Sequence, residues 1–98
     1  MLLLPATVTN REARDTLRML AQGLQGETGN EVVVNAGGLQ QFDTAALAVL
    51  LEVERLAQAW GKKFAVRQAP AKLVALARLY GVDVLLLGAE PAAPGSPA

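Results

Sequence analysis

Apolar residues recur along this chain with two periods, and the switches between them lay out the secondary structure. Ala13, Leu17, Leu20, Ala21 and Leu24 follow one another at spacings of 4, 3, 1 and 3 residues. That is one stripe of a helix, and Arg11, Arg14 and Arg18 take the opposite side. Thr9-Asn10-Arg11-Glu12 just before it has the form of a capping box with Thr9 as the N-cap, and Gly26 and Gly29 end the pattern. Glu31–Ala36 carries three consecutive valines, which predicts a strand buried on both faces, and Gly37-Gly38 breaks it. A long apolar helix follows from Asp43 to Trp60, stopped by Gly61. Phe64–Gln68 predicts a second short strand. Pro70 suits the first position of a third helix, whose stripe is Leu73, Leu76, Ala77 and Tyr80, with Gly81 as its end. Val82–Leu87 reads as a last strand. The extended piece Leu2–Val8 leaves room for about one strand ahead of the first helix.

This alternation of strands and helices with short connections implies a small α/β fold, a mostly parallel sheet of about four strands with helices packed against it. Residues 1–87 form the domain. From Gly88 onward the chain is glycine, alanine, proline and serine with one glutamate, a composition expected to remain disordered through residue 98. No internal repeat is present.

The long helix carries more leucine than one buried face requires. On a wheel of about 100° per residue, Val49, Leu50, Val53, Leu56, Ala57 and Trp60 make a broad core face. Thr44, Leu47, Leu51 and Gln58 fall on the other side, with Glu52, Glu54 and Arg55. Two readings follow for Thr44, Leu47 and Leu51. They form a hydroxyl-and-leucine patch offered to a partner, or neighbouring segments cover the leucines. Asp43 stands where a helix start wants a side-chain acceptor.

Composition narrows the chemistry. Of 98 residues 52% are apolar, but only four are aromatic, so Leu, Val and Ala must build the core. Nine basic and nine acidic residues cancel, which disfavours nucleic acid as the main partner. The chain contains neither cysteine nor histidine. Thiol nucleophiles, imidazole bases and the usual ligands for zinc are therefore absent, and neither a metal nor a cofactor is expected. There is no P-loop, and Gly37-Gly38 lacks the spacing of a dinucleotide fingerprint; a turn is the simpler reading, beside a phosphate cradle at a strand end. Glu52 and Glu54, two apart on a helix, cannot act as a carboxylate pair and fit a solvated surface. Lys62-Lys63 suits a helix C-terminus. The opening Met1–Leu4 has no basic flank and is closed by Pro5, so it is not read as a signal peptide, and no apolar run is long enough to insert in a bilayer. A cytoplasmic, non-catalytic protein is the expectation.

Phe42-Asp43-Thr44-Ala45-Ala46-Leu47 resembles the signature of STAS domains, in which a strand ends and an Asp followed by Ser or Thr opens a helix with leucine close behind. The resemblance covers roughly residues 8 to 87, most specifically Val32–Leu86. With the "LARLYGV" segment it is especially similar to the small STAS subunit of Mla-type phospholipid ABC transporters (MlaB-like proteins). It implies a docking role on the transporter's cytoplasmic ATPase at the inner-membrane face, in a system that maintains outer-membrane lipid asymmetry. Asp43 would then shape the helix start, Thr44 would sit at the contact, and Leu47 and Leu51 would supply apolar area. The alternative is an anti-sigma-factor antagonist, in which a partner kinase phosphorylates the hydroxyl equivalent to Thr44. Many relatives carry glycine where this chain has Ala46, and a final helix is replaced by the Ala/Pro tail.

Overall fold

The computed structural model describes residues 1–87. Strands β1 (Leu2–Leu3), β3 (Glu31–Asn35) and β5 (Lys63–Arg67) form one parallel sheet in the order β1-β3-β5, while β2 (Thr7–Val8) and β4 (Gln41–Phe42) form a second, smaller parallel ladder. Helices α1 (Ala13–Gly26), α2 (Thr44–Ala59), α3 (Ala71–Leu79) and α4 (Asp83–Leu87) complete the described chain. Two strands, not one, precede α1. Pro5 cannot donate to a ladder, and the chain bends there into two short pieces.

The two ladders are consecutive stretches of the same pair of segments. Leu2 pairs with Val34, and Leu4 N–H then donates to the Asn35 carbonyl. The partner segment turns through Gly37-Gly38, Gln40 and Gln41 donate to the Ala6 carbonyl, and pairing resumes at Thr7–Gln41 and Val8–Phe42. The glycine pair is thus a turn that carries one strand into the next.

Only one face of the larger sheet is buried. Val32, Val34 and Val66 point into the core with Leu2, beneath Leu20 and Leu24 of α1 and Leu50 and Val53 of α2. On the opposite face Leu3 is 66% exposed, Glu31, Lys63 and Arg67 are exposed, and Val33 and Ala65 are half-buried. The expectation of a valine run buried on both faces therefore gives way to alternation. The helices pack on one side, and the second face carries exposed charged side chains among the described residues.

Helix α1 begins later than its capping box predicts. Thr9–Glu12 forms a turn, and Glu12, not Thr9, precedes the first helical residue. The reciprocal chemistry survives: the Thr9 N–H donates to Glu12 Oε1 at 2.8 Å, as does the Thr9 hydroxyl. These bonds hold the Glu12 carboxyl below its ordinary pKa. Val82–Leu87 is a helical turn where a strand was expected. Val82 and Leu86 pack inward four residues apart while Val84 stays exposed, the helical period rather than the alternation of a strand. The Leu86 N–H donates to the Val82 carbonyl at 3.0 Å. The tail expected to be disordered lies outside the described residues.

Two helix ends repeat one device. At α2, Lys62 N–H reaches the Ala57 carbonyl and Gly61 N–H the Gln58 carbonyl, with Gly61 at φ +73°. At α3, Val82 and Gly81 bond to Ala77 and Arg78 in the same way, with Gly81 at φ +72°. Both are Schellman closures, whose left-handed residue favours glycine. Trp60 and Tyr80 are the C-cap residues, where the helical period has ended. Both point outward, Trp60 with 52% of its surface exposed, which corrects their placement on core stripes.

Candidate functional site

The β2–β4 ladder decides what stands next to the head of α2. Register Val8–Phe42 places the Thr9–Asn10 turn beside Asp43. Asp43 Oδ1 accepts from Ala45 N–H at 2.8 Å, the N-cap bond anticipated from sequence. Its second oxygen, Oδ2, accepts from Asn10 N–H at 3.3 Å, across 33 residues of sequence. One carboxylate thus satisfies two backbone donors, one from the start of α2 and one from the turn before α1. Asn10 could not be found from sequence, because only the ladder register brings it there.

Thr44 is the first residue of α2 and is exposed. Ala46, two residues on, is buried with its carbon packed in the core, which explains how alanine is accommodated at this helix start. Leu47 is not on the open face. It is 4% exposed and belongs to the core with Ala46, Leu50, Val53 and Ala57. The reason is geometric: α2 packs against α1, β5 and α4, so its buried arc is wider than a single stripe and takes in Leu47. Leu51 is half-buried on the margin of that arc. Of the four residues singled out in sequence, Asp43 and Thr44 are exposed together, Leu51 is half-buried about two turns further along α2, and Leu47 is buried in the core.

Glu54 also departs from expectation. Its surface is only 7% exposed, and Oε2 accepts from Gln58 Nε2 at 2.6 Å, so it is no solvated surface group. Lys62 serves a segment other than its own helix. Its ammonium donates to the carbonyl of Glu27 (2.9 Å), the C-cap of α1, where a cation complements the helix end, and to that of Gly29 in the turn just beyond.

The open face of α2 runs from Thr44 through Ala48 to Glu52 and Arg55. Between it and α1 lies a shallow groove of about 350 Å³ lined by Ala13, Arg14, Leu17, Ala48, Val49 and Glu52. Its floor is apolar, and Arg14 and Glu52 supply one charge of each sign. Ala48 and Glu52 follow Thr44 at intervals of four, so all three share one side of the helix, a spacing readable in sequence. The groove has the dimensions of a contact surface rather than an enclosed reaction site. Among the described residues no cluster of three or more acidic residues is positioned to hold a metal ion, and no helix is long and apolar enough to cross a membrane.

The family described as "Mlab, STAS domain" matches residues 2–88. The chain belongs to this STAS family, and its parallel strands and packed helices are compatible with the STAS fold. A search of curated proteins finds no match.

Proposed function

Taking membership of the Mlab-type STAS family as the premise, we propose that this protein is a non-catalytic interaction subunit. In this reading it docks on the ATPase of an Mla-type phospholipid ABC transport system at the cytoplasmic face of the inner membrane. The observation that carries it is the head of α2, where an exposed Thr44 stands beside an Asp43 pinned from two directions, one turn before Ala48 lines the α1–α2 groove. A docking contact costs less when its surface faces solvent and is already held in its bound geometry. Asp43 supplies the rigidity, Thr44 the polar centre, and Ala48 and Leu17 a surface on which a partner helix can lie closely. Leu51 adds apolar area at the margin. Leu47 contributes by packing beneath the site.

The test is reconstitution. The protein is mixed with the ATPase subunit of its own cell's lipid transporter, and complex formation is followed by size exclusion and calorimetry. A complex lost on Ala48→Arg, with an unchanged circular dichroism spectrum, supports the reading; wild-type protein that forms no complex removes it.

Exposure of the Thr44 hydroxyl in the first turn of a helix favours a second reading, an anti-sigma-factor antagonist switched by phosphorylation there. The dipole and free N–H groups of a first turn accept negative charge. Phosphate transfer to Thr44 from a serine kinase of the same cell, detected by mass spectrometry, would favour that role over the transporter.

A further inference from the structure

Among the described residues the outer edge of β5 is open, and it carries the chemistry of a strand receptor. In the parallel ladder with β3, Lys63 N–H donates to the Asn30 carbonyl and the Arg67 carbonyl accepts from Ala36 N–H. The residues of β5 that face β3 are therefore Lys63, Ala65 and Arg67, and the intervening Phe64 and Val66 turn their N–H and C=O groups away from the sheet. No partner for those groups occurs among the described residues. A groove of about 710 Å³ runs along this edge, bounded on its far side by Val84, Leu85 and Leu87 of α4.

We propose that β5 binds an extended, acidic peptide segment of a partner protein by strand addition, extending the sheet beyond its present edge. The unpaired main-chain groups of Phe64 and Val66 require donors and acceptors at strand spacing, which an extended peptide supplies. Val84, Leu85 and Leu87 offer apolar contact to the side chains on one side of that peptide. On the other side Lys63 and Arg67 project from the open sheet face, four residues apart, and no carboxylate lies within 4 Å of either among the described ion pairs. Two carboxylates also line the groove: Glu54 is buried and bonded to Gln58, and Glu31 sits across from Lys63. The exposed charge nearest an added strand is thus basic at both ends. A second copy of this chain is a poor occupant. The antiparallel self-pairing that joins Phe64 of each copy to Val66 of the other is centred on Ala65, and it would set Lys63 directly against Arg67, twice over; like charges opposed across strands are destabilising. The site lies on β5 and α4 and does not depend on the docking role of Thr44.

The probe is an acetylated, amidated heptapeptide, Val-Glu-Val-Ala-Val-Glu-Val, with two controls: the same peptide with lysine for glutamate, and a proline-substituted one. Amide hydrogen exchange and chemical shifts are followed on the full chain. The expected result is that the acidic peptide slows exchange at Phe64 and Val66 at least tenfold, that the lysine peptide binds at least tenfold more weakly, and that the proline peptide gives no protection. The double variant Lys63→Glu, Arg67→Glu, altered only at exposed positions, should reverse the preference between the acidic and lysine peptides. Four results would overturn the proposal: Phe64 and Val66 amides already protected in the free monomer, protection arising only with dimerisation, no protection by the acidic peptide, or equal binding of both charged peptides by wild type.

Discussion

Thr44 and Leu47 lie less than one helical turn apart and play opposite parts. Exposure of Thr44 means that a charge placed there meets only water, the helix dipole and Asp43. Thr44→Glu is expected to leave the melting temperature within a few degrees, as for a surface change of about 0.5 kcal/mol or less. It should weaken partner binding at least tenfold, about 1.4 kcal/mol, and calorimetry against the partner measures this. Leu47→Ala should do the reverse, costing about 2–5 kcal/mol in urea unfolding through the cavity it leaves. Sequence separated these two residues poorly. A wheel gives angles but not the width of the buried arc, and that width is set by how many neighbours surround α2. The cap at Asp43, by contrast, was legible, because its requirement is local. Glu12 extends the residue scale to pH. Its folded pKa is lowered by the Thr9 bonds, so it adds stability above the pKa of the unfolded chain, and this is lost as pH falls through the lowered folded value. Glu12→Gln should therefore shrink the acid-side decline of the melting temperature, with wild type and variant converging at the lowest pH.

At the scale of elements, the helix ends were the most readable feature and the last apolar run the least. Gly61 and Gly81 announce their turns because few other residues take a left-handed backbone without strain. Gly61→Ala should cost about 1 kcal/mol in chemical denaturation, with little change in the denaturant slope. Its Cβ would meet nothing within 4 Å, so the loss would come from the backbone and not from a clash. The run Val82–Leu87 offered no such marker. A short apolar stretch of that length fits strand and helix equally, and only tertiary packing of Val82 and Leu86 decides it. Lys62 teaches a related lesson. Its position at the end of α2 suggested a dipole role there, but the carbonyls it reaches are those of the α1 C-cap Glu27 and of Gly29 in the turn beyond it.

For the whole molecule, the α/β class was legible because it rests on element order, and the family because Phe42–Leu47 resembles a known signature, while the division into two ladders was not, because a bend at Pro5 has no periodic signature. That division has a further consequence in time. Every ladder joins residues that are far apart in the chain: Leu2 with Val34, Thr7 with Gln41, Glu31 with Lys63. No hairpin exists among the described strands to form first and cheaply. Loop closure must come before pairing is rewarded, so folding is expected to be slower than in helical bundles of this size, roughly milliseconds to seconds. Stopped-flow refolding should show Val34→Ala slowing the folding arm, while Leu73→Ala acts mainly on unfolding. During synthesis the asymmetry is sharper still. Until Arg67 has left the ribosome, β3 can hold β1 on one side and has nothing on the other. The nascent chain then carries a valine-rich strand with its own free edge, and among the described residues the same kind of edge passes to β5 when β5 pairs with β3.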